Sequence, residues 1–393
     1  MKNRKKIILY CNPIFLDYRI PFYKELYDLL NGQFRVLYSS IRYKGRYDSM
    51  LRRIDSELDG IAKNFTGEHF LCVDSKKIDE IPSGNKGAII PFTSGLLRSI
   101  RKIRPDVLIT EGFYQWTPLV LFYGFIFNVP VFVGYERTLY TERNVSWLKT
   151  LHRKISNLFI KGYFVNGSET EKYLMSIGIP NSKIYLGGMS ADATYMKSKI
   201  SKMDHSETTQ LRNSFLIGDG LVFLFSGYII ERKGVHYLLQ AWVKHIAHYP
   251  NDRLVLVGGG DMLDILRSKY CNEKSIQFVG RVEYSNIYKY YSVADVFILP
   301  TLEDNWSLVV PEAMACGLPV ATSIYNGCYS ELIKEGINGF IFDTYNIESI
   351  VDVLSKFHFS DLHKMGKASI EMEEPFNVKN SAFRVAKVLN KLI

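Results

Sequence analysis

Two acids eight residues apart, Asp304 and Glu312, lie in the stretch EDNWSLVVPEAMACGLPV, Glu303 to Val320. An ionised carboxylate accepts strong charge-assisted hydrogen bonds, so each acid suits a pair of sugar hydroxyls. The assignment that uses both places one acid on a ribose and the other on a hexose. Ser307 can cap the helix that follows, or Pro311 can mark its first turn. On either choice Glu312 falls in the opening turns, at the positive end of the helix dipole. A plainer account stays open, in which Glu312 only complements the dipole and Asp304 is a solvated loop acid. Ala313, Ala315 and Gly317 let that helix approach a sheet closely in both cases.

Cations come next. In FSGYIIERKGVHYLLQAW, Phe225 to Trp242, an apolar strand gives way to a loop, and a helix begins near Gly234. Arg232 and Lys233 stand at its entrance, where free backbone N–H groups attract anions. A diphosphate fits there; an ordinary basic loop would read the same. The run LVGGGD, Leu256 to Asp261, permits a tight turn and close backbone approach but is not a G-x-G-x-x-G fingerprint. In YNGCYSELIKEGINGFIFD, Asn326–Gly327 makes a turn and Glu331 follows on a helix; turn chemistry accounts for Gly327, Gly336 and Gly339. All four stretches follow a strand, in the order expected for one crevice at strand carboxyl ends.

Metal chemistry finds little support in the sequence. The five cysteines include no CxxC pair and suggest reduced thiols, with no disulfide framework or zinc site. His245 and His248 share one helical face without a third ligand nearby, which reads as surface. No metal and no bound cofactor are expected.

The elements that must position these groups alternate along the whole chain. Strands are expected at 6–10, 34–38, 88–91, 107–110, 131–133, 162–166 and 184–187, with helices at 19–30, 94–103, 118–127, 145–159 and 168–176 between them. A second series of strands, at 221–227, 253–257, 276–279, 296–300, 319–322 and 339–342, is likewise interleaved with helical patterns. Alternation of this kind predicts parallel sheets with helices on both faces. At 393 residues the chain suits two such domains. We expect an N-terminal domain over 1–190, a polar linker over 191–218 and a C-terminal domain over 219–375, with a last helix at about 376–393 packing back on the first. The fold class is α/β, two doubly wound Rossmann-like domains facing each other across a cleft.

Composition is that of a globular chain, 47% hydrophobic and 23% charged, and the net charge of +9 favours anionic partners. The basic start MKNRKK precedes the short run IILYCNPIF, which reads as a buried strand and not a signal peptide. Asn128 and Pro130 break the most apolar run, TPLVLFYGFIFNVPVFVGY, so a helix and a strand are expected there and not a membrane span. The expected location is cytoplasmic, with peripheral contact at the inner face of the membrane. For that contact the charged segment RYKGRYDSMLRRIDSELDGIAKN, 42–64, offers a basic surface, or else it is an exposed helix or loop.

From Leu221 to Asp343 the chain resembles the retaining glycosyltransferases of family 4, which have the GT-B fold. Asp304 and Glu312 match that family's Glu-x7-Glu motif, with Asp at the first position, followed by AMACGLPV. Gly227, Tyr228, Lys233 and Gly234 match its Gly-Arg-x4-Lys-Gly loop, with Tyr in place of Arg. VGGGD, FVGRV, YYSVADVFILPT and the late NG…EL…NGF pattern follow in order and spacing. In the first half, KGYFVNGSETEKYLMSIGIPNSKI is the best match.

The resemblance implies that Glu312 holds the ribose hydroxyls. Asp304 and the backbone after it, Asn305, Trp306, Ser307 and Leu308, would hold the transferred sugar. Lys233 and Arg232 would neutralise the diphosphate near Gly227 and Tyr228, with Asp304, Lys233 and Arg232 the catalytic group. Gly258, Gly260, Arg281 and Val282 would line the base pocket. Asp304 is one methylene shorter than Glu, and Tyr228 supplies no charge, which places more weight on Lys233 and Arg232.

The implied reaction moves a hexose from a nucleoside-diphosphate sugar, UDP or GDP, to a glycan or lipid-linked glycan in bacterial surface polysaccharide assembly. Configuration would be retained, no metal would be needed, and nucleic acid would not be a partner. Acceptor chemistry should come from first-half strand ends: Asn12 to Arg19, Glu111 to Trp116 and Gly134 to Thr138. Asp17, Arg19, Glu111, Glu136 and Arg137 are the candidates there. Two other readings of the same crevice are a sugar-nucleotide epimerase and a carbohydrate- or nucleotide-binding protein without turnover. A dehydrogenase is disfavoured, since no dinucleotide fingerprint follows the first strand.

Overall fold

Short runs such as VFLFS, RLVLV and VFIL are apolar on both sides of the chain, the composition of strands covered on both faces of a parallel sheet. In the computed structural model, which describes residues 4–43, 48–71, 90–188, 190–214 and 219–393, they form two such sheets. The first contains β1 (Ile8–Cys11), β2 (Phe34–Tyr38) and β3 (Ala62–Asn64). A hairpin of β4 (Glu68–Leu71) and β5 (Ile90–Thr93) stands apart from it. The first sheet continues with β6 (Val107–Glu111), β7 (Val131–Tyr135), β8 (Gly162–Val165) and β9 (Ile184–Leu186). The second contains β10 (Val222–Ser226), β11 (Arg253–Val257), β12 (Ile276–Gly280), β13 (Val296–Leu299), β14 (Val320–Ser323) and β15 (Gly339–Phe342).

The strand orders are β3-β2-β1-β6-β7-β8-β9 and β12-β11-β10-β13-β14-β15, parallel throughout. Order therefore reverses between β1 and β6 in the first sheet, and between β10 and β13 in the second. At such a point the loops leaving two adjacent strands turn to opposite faces and leave a crevice. This is the GT-B architecture, two open Rossmann-like domains with their strand ends toward one cleft.

Two sequence expectations change, and two strands are added. The strand expected at 88–91 is described only from Ile90, and it pairs antiparallel with β4, outside the main sheet. Strands β3 (AKN) and β4 (EHFL) carry no apolar run and were not legible. The expected linker contains two helices, Ala193–Ile200 and His205–Ser214, and Met196 of the first is fully buried in the second domain's core. Its polar composition reflects the exposed faces of these helices, and one buried methionine was too weak a periodic signal.

The final helix, Val378–Leu389, crosses back to the first domain. Val378, Ala382, Val385, Ala386 and Leu389 pack into a core with Tyr10, Phe22, Tyr23 and Leu26. Phe376, just before it, meets Trp306 of the second domain with ring centroids 5.6 Å apart. Leu389→Ala empties a fully buried position and should lower stability by about 2–5 kcal/mol, read as a lower midpoint of urea unfolding; an unchanged midpoint would show that this helix is not part of the first core.

Candidate functional site

The loops leaving β10 and β13 are stitched together by main-chain bonds. Leu302 N–H donates to the Arg232 carbonyl at 2.8 Å, and the Thr301 hydroxyl donates to the same oxygen at 3.2 Å. Gly234, at φ +67°, lets the chain pass against β13's end, since a Cβ there would lie 2.0 Å from the Pro300 oxygen. This stitching fixes the side chains: Lys233 Nζ forms a close ion pair with Asp304 Oδ2. Arg232 Nη1 lies 3.7 Å from the same oxygen and donates to the Glu303 carbonyl at 2.6 Å. Burial alone would raise the Asp304 carboxyl, but the Lys233 and Arg232 charges outweigh it and hold it below its ordinary value. Lys233 stands two residues before the helix Val235–Ile246, whose N-cap is Gly234, so in sequence the cation sits at the entrance to a helix N-terminus.

The Asp304 backbone is locked as well. Its N–H donates to the Tyr325 carbonyl at 3.1 Å, and its carbonyl accepts from Gly327 N–H at 2.9 Å. Gly327 must be glycine, because a Cβ would meet the Asn305 oxygen at 2.1 Å and Thr138 of the other domain at 2.7 Å. Trp306 N–H reaches Asp304 Oδ1 at 3.3 Å. The Trp306 ring, however, is buried against Phe376, so only its backbone serves the site. Leu308, not Ser307, is the helix N-cap; Ser307 N–H contacts Asn326 Oδ1 at 3.4 Å.

Glu312 lies in the first turn of the helix Val309–Ala315 and is buried. Its carboxyl is pushed up to about 8, first by burial and further by the negative charges of Asp17 and Asp192; a Tyr291 hydroxyl contact at 3.4 Å partly offsets this. The two acids of the motif are therefore opposites. Asp304 is held ionised by cations, whereas Glu312 has tyrosines around it and no cation among its principal influences.

The glycine loops sit at the same strand ends. Gly258 and Gly260 have φ of +147° and +158°, and a Cβ at either would strike the Gly227 or Ile229 carbonyl oxygen, at 1.7 and 2.3 Å. Their first role is thus to let the loops after β10 and β11 close on each other. Arg281, exposed, and Val282, half-buried, follow β12 beside Gly259. Tyr228 is 61% exposed, free to meet a ligand but carrying no charge.

Across the cleft, the first domain gathers Arg19, Glu111, Glu136 and Arg137 around a pocket of about 270 Å³, with Asn12, Tyr18 and Arg153. Arg19 Nη2 bonds Glu111 Oε1 at 3.0 Å, and the Tyr10 hydroxyl donates to the same oxygen. Glu136 has its carboxyl raised, by burial first and then by the Glu111 charge. Asn305 Nδ2 of the second domain stands 3.5 Å from Glu136 Oε1, so the two halves of the site face each other. Asp17 does not line this pocket; it pairs with Arg53 at 3.4 Å, and its charge is felt at Glu312.

Arg153 was missed in the sequence. Arg153 is hidden in a helical pattern and is held inward by Glu142 at 2.8 and 3.1 Å. Glu331, read only as a turn-following acid, caps the first-domain helix Ser168–Ser176, accepting from Ser168 N–H at 2.5 Å. His245 is not at the surface: it is fully buried, and its Nε2 and that of His358 each lie 2.8 Å from Asp252 Oδ2. Among the described residues this is the one trio of histidines and acids close enough to hold a metal ion. It precedes β11 and so lies at the opposite end of that strand from Gly258.

With this geometry in place, comparison with known proteins is informative. Residues 207–371 match the model of the family Glycosyl transferases group 1, a span lying mostly in the second domain. An uncharacterized glycosyltransferase of Methanocaldococcus jannaschii is 33% identical over 172 residues, 42% of this chain and 43% of that protein. The alpha-monoglucosyldiacylglycerol synthase of Acholeplasma laidlawii is 24% identical over 272 residues, 65% of this chain and 67% of the other. The chain thus spans less than half the length of the first relative. The crystal structure of Anabaena HepE in complex with UDP superposes with a TM-score of 0.76 at 14% identity, covering 98% of this chain and 100% of that one. That likeness defines the fold.

Because Glu312 binds its proton more tightly folded than unfolded, its ionisation weakens the fold as pH rises from about 4.5 to about 8. Glu312→Gln should therefore melt increasingly above the parent through that window and keep a constant lead beyond it. A pH-independent difference in melting temperature would refute the buried-acid assignment.

Proposed function

We propose that this chain is a retaining glycosyltransferase that moves a hexose from a nucleoside-diphosphate sugar to a glycan or lipid-linked glycan. One observation carries the reading. Lys233 and Asp304 meet at the β10/β13 reversal, two residues ahead of the helix Val235–Ile246, and the Asp304 charge and Asn305 side chain reach Glu136 across the cleft. The second-domain match to glycosyl transferases and the UDP complex of a protein with the same fold support it.

Breaking the bond between the anomeric carbon and the diphosphate places negative charge on the leaving oxygens. Fixed positive charge aimed there is the largest stabilisation a protein can supply. Lys233, Arg232 and the N–H groups opening the helix Val235–Ile246 supply it without a metal ion. Lys233 and Asp304 neutralise one another before donor binding. The diphosphate then takes the ammonium, and sugar hydroxyls take the carboxylate, so neither buried charge is left unpaired. Glu312, low on cations and next to Tyr291, holds the ribose hydroxyls. The acceptor hydroxyl sits on the first-domain side near Glu136 and Arg19. Its oxygen bonds to the anomeric carbon as the carbon–oxygen bond to the diphosphate breaks. Its proton passes to the departing phosphate oxygen, on the same face, which preserves configuration.

A panel of nucleotide sugars should contain one that raises the melting temperature, since a ligand at about a hundred times its Kd adds roughly 2.7 kcal/mol. Its nucleoside diphosphate should be released when an acceptor is present, without deuterium entering the sugar from heavy water. Lys233→Ala should cut turnover by at least ~100-fold, while Lys233→Ala combined with Asp304→Asn, which removes both charges, should stay folded and inactive. Full turnover in a folded Lys233 variant would remove the assignment, and deuterium uptake would favour an epimerase.

A further inference from the structure

The helix Trp147–Asn157 is inside out. Its buried residues are Arg153 and Ser156, while Trp147, Leu148, Leu151 and Ile155 face solvent, followed by Leu158 and Phe159. Trp147 is 72% exposed and Leu158 77%. Leu148, Leu151 and Ile155 recur at i, i+3 and i+7, the spacing of a helix's apolar stripe, but here the stripe points outward. Its orientation is fixed by the buried Arg153–Glu142 pair, so the helix cannot roll to hide these side chains without exposing that pair. The neighbouring helix Thr117–Phe127 presents Phe122, Phe125, Ile126 and Phe127 outward. Phe125 and Phe159 join the two helices edge to face, with centroids 5.4 Å apart. A contiguous exposed apolar face of this kind marks an interaction surface.

What it meets is indicated by its border. The third helix, Leu96–Ile103, and its cap residue bring Arg98, Arg101, Lys102 and Arg104 around one surface concavity. Arg101 lies 5.5 Å from the centre of the Phe127 ring, so this cationic bowl abuts the apolar face. None of the three helices contains an Asp or Glu, and Lys149 and Lys154 add further positive charge. Apolar groups edged by cations, without acids, complement a layer of acyl chains beneath anionic headgroups. A second copy of the chain would bring like charges together. No helix among the described residues is long and apolar enough to cross a membrane, so the face would lie on the bilayer.

We propose that this three-helix face docks the protein on the surface of an anionic phospholipid bilayer. This face is separate from segment 42–64, where the sequence offered a basic surface: residues 44–47 of that segment lie outside the described residues, and of the others Arg42 is paired with Glu68 and Arg53 with Glu57 and Asp17. Tyr114 and Arg153 line the first-domain pocket, and the Tyr114 ring stacks on His152 of the inverted helix at 5.5 Å. The docked face therefore sets that pocket beside the membrane, where an acceptor anchored by a lipid can reach it. This last step rests on the glycosyl-transfer reading; the docking does not.

The full chain carries its own reporter. Of the four tryptophans, Trp116, Trp242 and Trp306 are buried and Trp147 is exposed. Vesicles of phosphatidylglycerol and phosphatidylcholine, without donor or acceptor, should co-sediment the protein and shift its emission to the blue; vesicles of phosphatidylcholine alone should bind far less. Changing Arg98, Arg101 and Lys102 to Ala should weaken binding about fivefold per residue (roughly 1 kcal/mol each) and flatten its salt dependence. Leu151→Ser with Leu158→Ser should weaken it further, while Phe359→Ser, an exposed apolar residue of the second domain, should change nothing. These positions are on the surface, so each variant should melt with the parent. Absence of binding to anionic vesicles at low salt would overturn the proposal. So would equal binding by the Arg/Lys variant, or dimerisation in solution that Leu158→Ser abolishes without vesicle binding.

Discussion

A buried ammonium needs a counter-charge, and Lys233 finds one in Asp304 because β10 and β13 lie side by side and the loops leaving them are bonded to each other. Everything proposed for the second domain follows from that adjacency. Strand order brings together residues 71 positions apart, Thr301 and Leu302 bind the Arg232 carbonyl, and Gly234 clears the space. Such a pair is weak evidence for stability, since desolvation cancels much of its attraction. Its value lies in preorganisation. Two charges are held dry and oriented at a cleft where a ligand with the opposite pattern, anionic diphosphate and neutral hydroxyls, can exchange for them.

The acids near this pair are tuned in opposite directions by their surroundings. Asp304 is kept ionised by Lys233 and Arg232, whereas Glu312 and Glu136 are raised by burial and by neighbouring acids. Groups pushed apart in this way can divide the work of a site. A carboxylate beside a cation accepts hydrogen bonds; a carboxyl that retains its proton also donates one. Asn305, between Asp304 in sequence and Glu136 in space, joins these environments across the cleft. Further contacts hold the domains face to face: Glu331 on the N-terminus of the Ser168 helix, Tyr140 against Tyr325, and the returning C-terminal helix.

The first domain uses the same logic on its outer side. Burying Arg153 commits the helix Trp147–Asn157 to one rotation, and the apolar residues left outside form a face edged by Arg98, Arg101 and Lys102. An internal ion pair and an external surface are thus two consequences of one helix orientation.

Alternating apolar runs and helical periods are local, and so the sequence by itself determined two parallel α/β layers, most strand positions and the strand ends that carry Lys233, Asp304 and Glu312. The strands Ala62–Asn64 and Glu68–Leu71, and the antiparallel pairing that takes β5 out of the main sheet, were invisible because hydrogen-bond partners and not composition decide them. Tertiary structure alone decided which groups meet. Asp304 pairs with Lys233, Asp17 turns from the pocket to Arg53, Trp306 enters the core, and scattered His245, Asp252 and His358 close into a buried cluster. It also decided that an amphipathic helix would show its apolar side to solvent. Periodicity reveals that a face exists, but which way it turns depends on whether a distant acid, here Glu142, claims the opposite one.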